Sequence, residues 1–408
     1  MRDTEFIRGL LRVEDPWDVT ESKLDLERNR VDVRLEWQGV GRCPKCDREC
    51  PKHDHRERVW RDLDLAGDQL FLHASVPRID CPEHGVTTVA IPWSSGRTEF
   101  TSRFERLAIA LLLEMSVAAV ARRLGISWEQ VDSIMLRAVE RGKQRRLPRL
   151  VRHLGIDEKA VKKRHRYFTI VSDLDRGEVL WVGRGRKRES IDAFYDGLSH
   201  EQLHAIEGIA MDMWQPYFES TVAHVPDAAR KIVFDKYHIT AYLTKAVDLT
   251  RRAMMRDKTL DRTALKGTKY SWLRSFANLD RDERRDLSAL RSQYKRLGRA
   301  WSMKEHFTEF WRYRRESAAR RFFADWYRWA THSQLPEMIS VARTLKRHFA
   351  NIITYIRKPI TNAAAESLNS KIQMIKFRAR GYRNEGRFAA AILFHCGGLD
   401  LLPAHPKS

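Results

Sequence analysis

Two short pairs, Cys43-x-x-Cys46 and Cys81-x-x-His84, constrain this chain more than any other feature of it. Each puts two ligand atoms on one tight turn, and together they supply the four soft ligands of a closed, tetrahedral zinc site. The residues between them must then fold into something short and rigid. Residues 31–37 alternate apolar and charged side chains, the period of a half-buried strand, and residues 60–65 and 70–79 read as two further strands around an Ala66-Gly67-Asp68 turn. Residues 1–100 are therefore expected to form a zinc-ribbon-like β unit. Cys50, His53, His55 and His73 lie close enough in sequence to replace a member of the set, whereas Cys396 is expected to pack in the C-terminal region. Five unevenly spaced cysteines make no disulfide framework and the first residues lack an apolar signal core, so a reducing cytoplasm is expected.

From Ser102 the pattern turns helical, with helices expected over 104–115, 117–124 and 128–141. Ser127-Trp-Glu-Gln130 has the form of a capping box, and Gly125 permits the left-handed turn that sets two helices at a steep angle. Residues 101–150 then read as a helix-turn-helix whose third helix offers Trp128, Glu129, Asp132 and Arg137 to a major groove. A trihelical packing unit without DNA contact is the plain alternative. Charge favours DNA: 75 lysines and arginines against 54 acidic residues leave +21 over 408 residues, an excess that a polyanion relieves. The apolar run 107–113 stops at Glu114, far short of the roughly 20 residues a spanning helix needs, so no membrane partner is expected.

A basic linker, residues 143–152 with Pro148, leads into the most strand-like part of the chain. Strands are expected from His153 to Asp157 and over 167–174, 178–182, 206–211 and 231–234, with helices near 190–198 and 237–252. A meander followed by strands alternating with helices suggests an α/β sheet. Residues 252–350 carry helical periodicity, many tryptophans and almost no strand signal; they read as an all-helical insertion, with Trp272, Trp301, Trp311, Trp326 and Trp329 assigned to its core. The domain limits that follow are 151–251 for the first part of a catalytic core, 252–350 for the insertion, and 351–408 for the second part and a frayed tail from Pro403.

Three carboxylates stand out against this frame. Asp157 ends Leu154-Gly-Ile-Asp, Asp212 ends Ile206-Glu-Gly-Ile-Ala-Met-Asp, and Glu366 opens a helix with Thr361 or Asn362 as its cap. In that helix Leu368, Ile372 and Ile375 form the buried stripe, leaving Glu366, Asn369 and Gln373 on a face able to meet the aspartates. Phosphodiester chemistry needs an activated nucleophile and a stabilised leaving oxygen, which two metal ions roughly 3.5–4 Å apart supply, and magnesium prefers carboxylate oxygens. Taken singly, strand-end aspartates cap turns and a glutamate early in a helix is favoured by the macrodipole. Asp235 and His238 are read as capping the helix after a strand in preference to orienting a metal-bound group.

Asp157 in Gly-Ile-Asp-Glu-Lys, Asp212 in Ala-Met-Asp-Met-Trp-Gln-Pro-Tyr, Phe234-Asp-Lys-Tyr-His238, and Asn362-Ala-Ala-Ala-Glu-Ser-Leu-Asn-Ser-Lys371 with Gly381-Tyr-Arg-Asn384 together resemble the DDE transposases of bacterial insertion sequences, the ISL3 family in particular. The resemblance covers nearly the whole chain. It implies a multidomain α+β protein: a zinc-ribbon-like unit, a helix-turn-helix, and a ribonuclease-H-like α/β core interrupted by helices before the glutamate. It further implies that Asp157, Asp212 and Glu366 hold two magnesium ions, manganese being able to substitute, and that Cys43, Cys46, Cys81 and His84 hold structural zinc. The partners implied are double-stranded DNA, as element ends and as target, and further copies of the chain, at least a dimer on DNA, in the nucleoid of a bacterial cytoplasm. Basic runs at Arg184, Arg186, Lys187 and Arg188, at 162–166, and at Lys371, Lys376, Arg378, Arg380 and Arg383 would neutralise phosphates. A DNA-binding regulator with a dead core and a ribonuclease-H-like nuclease are the rival readings.

Overall fold

The computed structural model describes residues 3–162, 166–261, 263–360 and 363–404. Thr361 and Asn362, residues 163–165 of the second basic run, and the last four residues of the tail lie outside them. An N-terminal sheet comprises β1 (Trp17–Asp25), β2 (Arg30–Trp37), β3 (Lys52–Arg61), β4 (Gln69–Cys81) and β5 (Gly85–Thr88), ordered β1-β2-β4-β3 with β5 on β4. Parallel β2 and β4 form its centre, and their alternate residues Val31, Val33, Leu35, Leu70, Leu72 and Ala74 are buried with Trp17, Trp60 and Trp93.

Two features of this sheet escape sequence periodicity. β1 buries only Trp17 and Val19 of its nine residues, so no alternation marks it. β3 starts at Lys52, well before the expected residue 60, and is mostly charged because it is an edge strand, where charge discourages pairing with another chain. A helix, Asp3–Leu11, precedes the sheet and was also not anticipated.

The trihelical unit forms as expected, from helices Ser102–Glu114, Val117–Leu124 and Trp128–Arg145. Ser127 and Gln130 make the reciprocal capping box, and Gly125 sits at φ 63°. The third helix outruns its expected end, taking Lys143 to Arg145 out of the linker. Arg146 then anchors the connection by donating to the carbonyls of Gly397 and Leu180.

Buried charge ties the helices to the first sheet. Asp62, with no exposed surface, accepts from Arg103 and from the Thr101 hydroxyl that caps the first helix. Glu105 accepts from Thr98, Arg137 and Arg141 at 2.6–3.0 Å. This corrects the outward-facing set of the third helix. Arg137 turns inward to Glu105, Thr98 and Ser133 because the helix packs on the helix Ser102–Glu114, and Asp132 is buried against Arg387 because it also packs on the terminal helix Glu385–Cys396. Trp128 and Glu129 stay exposed.

The second sheet comprises β6 (His153–Lys162), β7 (Arg166–Asp173), β8 (Glu178–Arg184), β9 (Gly208–Met211) and β10 (Ile232–Phe234), ordered β10-β9-β6-β7-β8. β6, β7 and β8 form an antiparallel meander, while β9 joins β6, and β10 joins β9, in parallel. This is the mixed sheet expected of a ribonuclease-H-like core. Leu154, Ile156, Val171, Ile209 and Phe234 share a core with the helix Lys236–Arg256 and the helices beyond it. Phe168, Ile170 and Val179 share another with the helices Ala363–Arg378 and Glu385–Cys396 and with Phe104 and Ile134 of the trihelical unit. The trihelical unit is thus built onto the second sheet.

Residues 252–350 hold helices and no strand among the described residues. Trp272, Trp301 and Trp326 are buried as expected and Trp311 half-buried, but Trp329 is 38% exposed.

Candidate active site and metal centre

The Cys-x-x-Cys turn follows β2, and the Cys-x-x-His turn joins β4 to β5, where Cys81 pairs with Gly85. The hairpin folds the second turn back so that Cys43, Cys46, Cys81 and His84 bring their ligand atoms within 4.8 Å of one another. His84 Nδ1 lies 3.7 Å from both Cys43 Sγ and Cys81 Sγ, and Cys46 Sγ lies 3.8 Å from Cys81 Sγ. A tetrahedral ion about 2.3 Å from each sulfur requires ligand atoms about 3.8 Å apart, a spacing that these three contacts meet, so the donor set suits zinc. Burial opposes ionisation of the Cys81 thiol, yet N–H groups of Glu83 and His84 and the neighbouring thiols bring its pKa down to about 7. Of the alternates, His73 contacts Asp32 at 2.5 Å and His53 faces Asp54, whereas Cys50 lies beside the set, its thiol donating to the Arg48 carbonyl and interacting with Cys81. Cys396 is buried in the C-terminal core.

The carboxylates are placed by strand register. Ile156 of β6 pairs with Met211 of β9, and Met211 with Phe234 of β10. The next residue on each strand is an aspartate, so Asp157, Asp212 and Asp235 stand side by side at the edge of three neighbouring parallel strands. Parallel neighbours lie about 4.8 Å apart, a spacing that brings adjacent carboxylates within reach of shared cations. Asp235 also caps the next helix, accepting from Tyr237 N at 2.9 Å. The capping reading is right for Asp235 but incomplete for its neighbour. His238, one turn into that helix, faces all three carboxylates: Nδ1 is 3.6 Å from Asp212, and Nε2 is 3.9 Å from both Asp157 and Asp235.

The helix Ala363–Arg378 crosses this edge. Leu368, Ile372 and Ile375 are its buried stripe, as expected, and Asn369 donates to Asp157 Oδ2 at 2.5 Å. Lys159 shares a strand face with Asp157 and donates to the Asn369 carbonyl, while Lys376 donates to the Ala160 carbonyl. Glu366 lies one turn before Asn369 and is exposed. Among the described residues, the cysteine–histidine set is the one group of three or more metal-ligating side chains drawn to within 4.8 Å; Asp157, Asp212 and Glu366 do not close to that spacing. Burial pushes the Asp212 carboxyl up against the opposing effects of His238 and the Met213 N–H, and the like charges of Asp157 and Asp235 add to the rise. A row of hard oxygen donors with this uncompensated repulsion suits a divalent cation.

Sequence reasoning placed Asn369 on the right helix face, gave Lys159 no role, and ranked a role for His238 beside a metal-bound group second to capping. The signals were the i, i+2 alternation from Asp157 and the i, i+3 step from Asp235.

Residues 154–392 match a family model described as transposase, residues 89–139 one for the helix-turn-helix domain of transposase family ISL3, and residues 39–84 one for the zinc-finger of transposases IS204, IS1001, IS1096 and IS1165. The chain belongs to the ISL3 transposase family. Relatives of this ISL3 member include the transposase for insertion sequence element IS1001 of Bordetella parapertussis, 30% identical over 85% of this chain and 86% of its own. The transposase for insertion sequence element IS1557 of Mycobacterium tuberculosis is 27% identical over 100% of this chain and 99% of its own. The ISL3 zinc-finger match ends at His84 and the DDE match spans both aspartates and Glu366.

In the basic runs of this ISL3 chain, Arg184, Lys187, Lys371, Arg378 and Arg380 are exposed. Arg186 is half-buried, paired with Glu158 and stacked near Tyr167 and Trp214. No described helix is long and apolar enough to cross a membrane.

Proposed function

We propose that this transposase binds the ends of its own insertion sequence, nicks the DNA there, and directs the freed 3′-hydroxyl at a phosphodiester of target DNA without a covalent protein intermediate. Asp157, Asp212 and Glu366 are the residues that would hold two magnesium ions, and Cys43, Cys46, Cys81 and His84 those that would hold structural zinc. Bound magnesium supplies Lewis-acid stabilisation and a more acidic water or hydroxyl. The chain's own residues orient this chemistry: Asn369 fixes one oxygen of Asp157 while the Glu158 N–H donates to the other, Lys159 ties the glutamate helix to β6, and His238 places an imidazole among the aspartates. Closure of Glu366 onto the row is left to DNA and cation binding. Trp128, Arg184, Arg186, Lys187, Lys371, Lys376, Arg378 and Arg380 would contact double-stranded DNA; Arg137, spent on Glu105, is withdrawn from that set. Two DNA ends require at least two copies of the chain, acting in the nucleoid of a bacterial cytoplasm.

The observation that carries this reading is the in-register pairing that sets Asp157 beside Asp212. Linear DNA bearing candidate element ends, incubated with the protein and magnesium, should yield joined products; Asp157→Asn should abolish joining and keep DNA binding. Cleavage without joining would identify a nuclease, and binding with neither activity a regulator. Unchanged joining by Asp157→Asn would remove Asp157 from the scheme.

A further inference from the structure

A cleft of about 790 Å³ separates the helix-turn-helix from the end of the glutamate helix and the loop after it. Arg122 and Trp128 line one wall; Arg378, Arg380, Arg383 and Arg387 line the other. Against these five arginines the lining offers one carboxylate, Asp132, and that is already paired with Arg387 at 2.8 Å. Arg122 and Arg380 are exposed and have no ion pair among the described residues. Trp128 lies under the Arg387 guanidinium, 4.8 Å from the ring centroid, and keeps 37% of its surface exposed. Phe377, immediately before the cleft-lining Arg378, is 84% exposed, with Met374 one turn earlier at 53%. An aromatic ring held in water beside several cations costs hydration free energy for no packing gain in the protein itself.

We propose that this cleft and the exposed surface beside it bind unpaired DNA, a few nucleotides of single strand at or beside the cleaved end, with arginines on the phosphates, Trp128 within the cleft and Phe377 next to its lining both stacked on bases. The inference rests on the DNA-processing reading above and adds a substrate form to it. A duplex hides its base faces within the stack, and a cleft of this size, which matches the volume of small-molecule pockets, lets it touch only the residues at the rim. An unpaired strand presents both the phosphates and the flat rings that an electrostatic groove with aromatic platforms recognises. The cleft also joins the third helix to the C-terminal end of the helix that carries Glu366 and Asn369.

Fluorescence anisotropy without divalent metal tests this, with an oligothymidylate of about ten nucleotides and a duplex of about twenty base pairs as probes. Phe377→Ala should weaken the single strand about tenfold relative to the duplex, and Phe377→Trp should restore it. Arg122→Ala and Arg380→Ala should each flatten the salt dependence of single-strand binding by about one unit of slope. Because Phe377 is so exposed, its substitutions should leave the melting temperature unchanged. Equal loss for both probes, no loss for either, or loss of self-association with single-strand affinity intact would each overturn the proposal, the last by giving the face to a second copy. The assay involves no strand joining, so its failure is separate from any failure of the catalytic scheme.

Discussion

The two candidate metal centres of this chain are built in opposite ways. Around the zinc candidate, two tight turns and one hairpin bring four donors within 4.8 Å, and the set is complete before any ion arrives. Around the carboxylate row, donors come from three strands and a helix more than 200 residues from the first, and Glu366 stays exposed. The difference follows from the work each does. A structural ion gains by closed, soft coordination, whereas an ion that must meet phosphate oxygens needs hard donors and open positions. Preassembly of the carboxylates would also carry a repulsion that burial of Asp212 already makes costly.

Removing zinc should produce the largest effect, because binding to such sites is worth about 10–16 kcal/mol and is folding free energy for a small unit. Cys43→Ser or a strong chelator should release one equivalent of zinc, read by a colorimetric indicator, and expose β1 to β5 to protease while the second sheet stays protected. Equal loss of both sheets would show that the two halves are less separable than their metal sites suggest. At the open centre, Glu366→Gln should lower strand joining about a thousandfold with little change in melting temperature, separating a catalytic ligand from a structural one. Near-normal joining would leave the row of aspartates as the whole site.

Away from both candidate ligand sets, Glu105 has a side chain 2% exposed and shared by Arg137 and Arg141. Glu105→Ala leaves two arginines partly buried without their partner and should cost about 3 kcal/mol in denaturant unfolding. A cost near zero would mean that water reaches the network. Asn369→Ala should be milder, lowering joining about 10- to 100-fold, as loss of an outer partner of a metal ligand does. If joining is unchanged, the hydrogen bond to Asp157 belongs only to the metal-free form.

Local signals were readable wherever a residue type and a short spacing suffice. The capping box at Ser127, the left-handed Gly125, the zinc pairs and the stripe Leu368, Ile372, Ile375 needed no tertiary information. Legibility failed where burial, not composition, decides. The charged edge strand β3 and the weakly buried β1 carry no alternation, because an edge strand need not hide its outer face. Arg137 and Asp132 looked like an outward face, since charge on a helix usually faces water; Glu105 on the helix Ser102–Glu114 and Arg387 on the terminal helix supplied partners that reversed it.

By itself the sequence determined the ligand types and the order of units: soft donors in close pairs, hard donors at strand ends, and enough positive charge to demand a polyanion. These are properties of single residues and their near neighbours. Only tertiary structure decided that Asp235 and His238 join the carboxylate row, that the helix-turn-helix shares a core with the catalytic sheet, and that five arginines from two walls face one cleft. Strand register and helix packing are set by contacts between distant segments, whose energies no single stretch of chain contains.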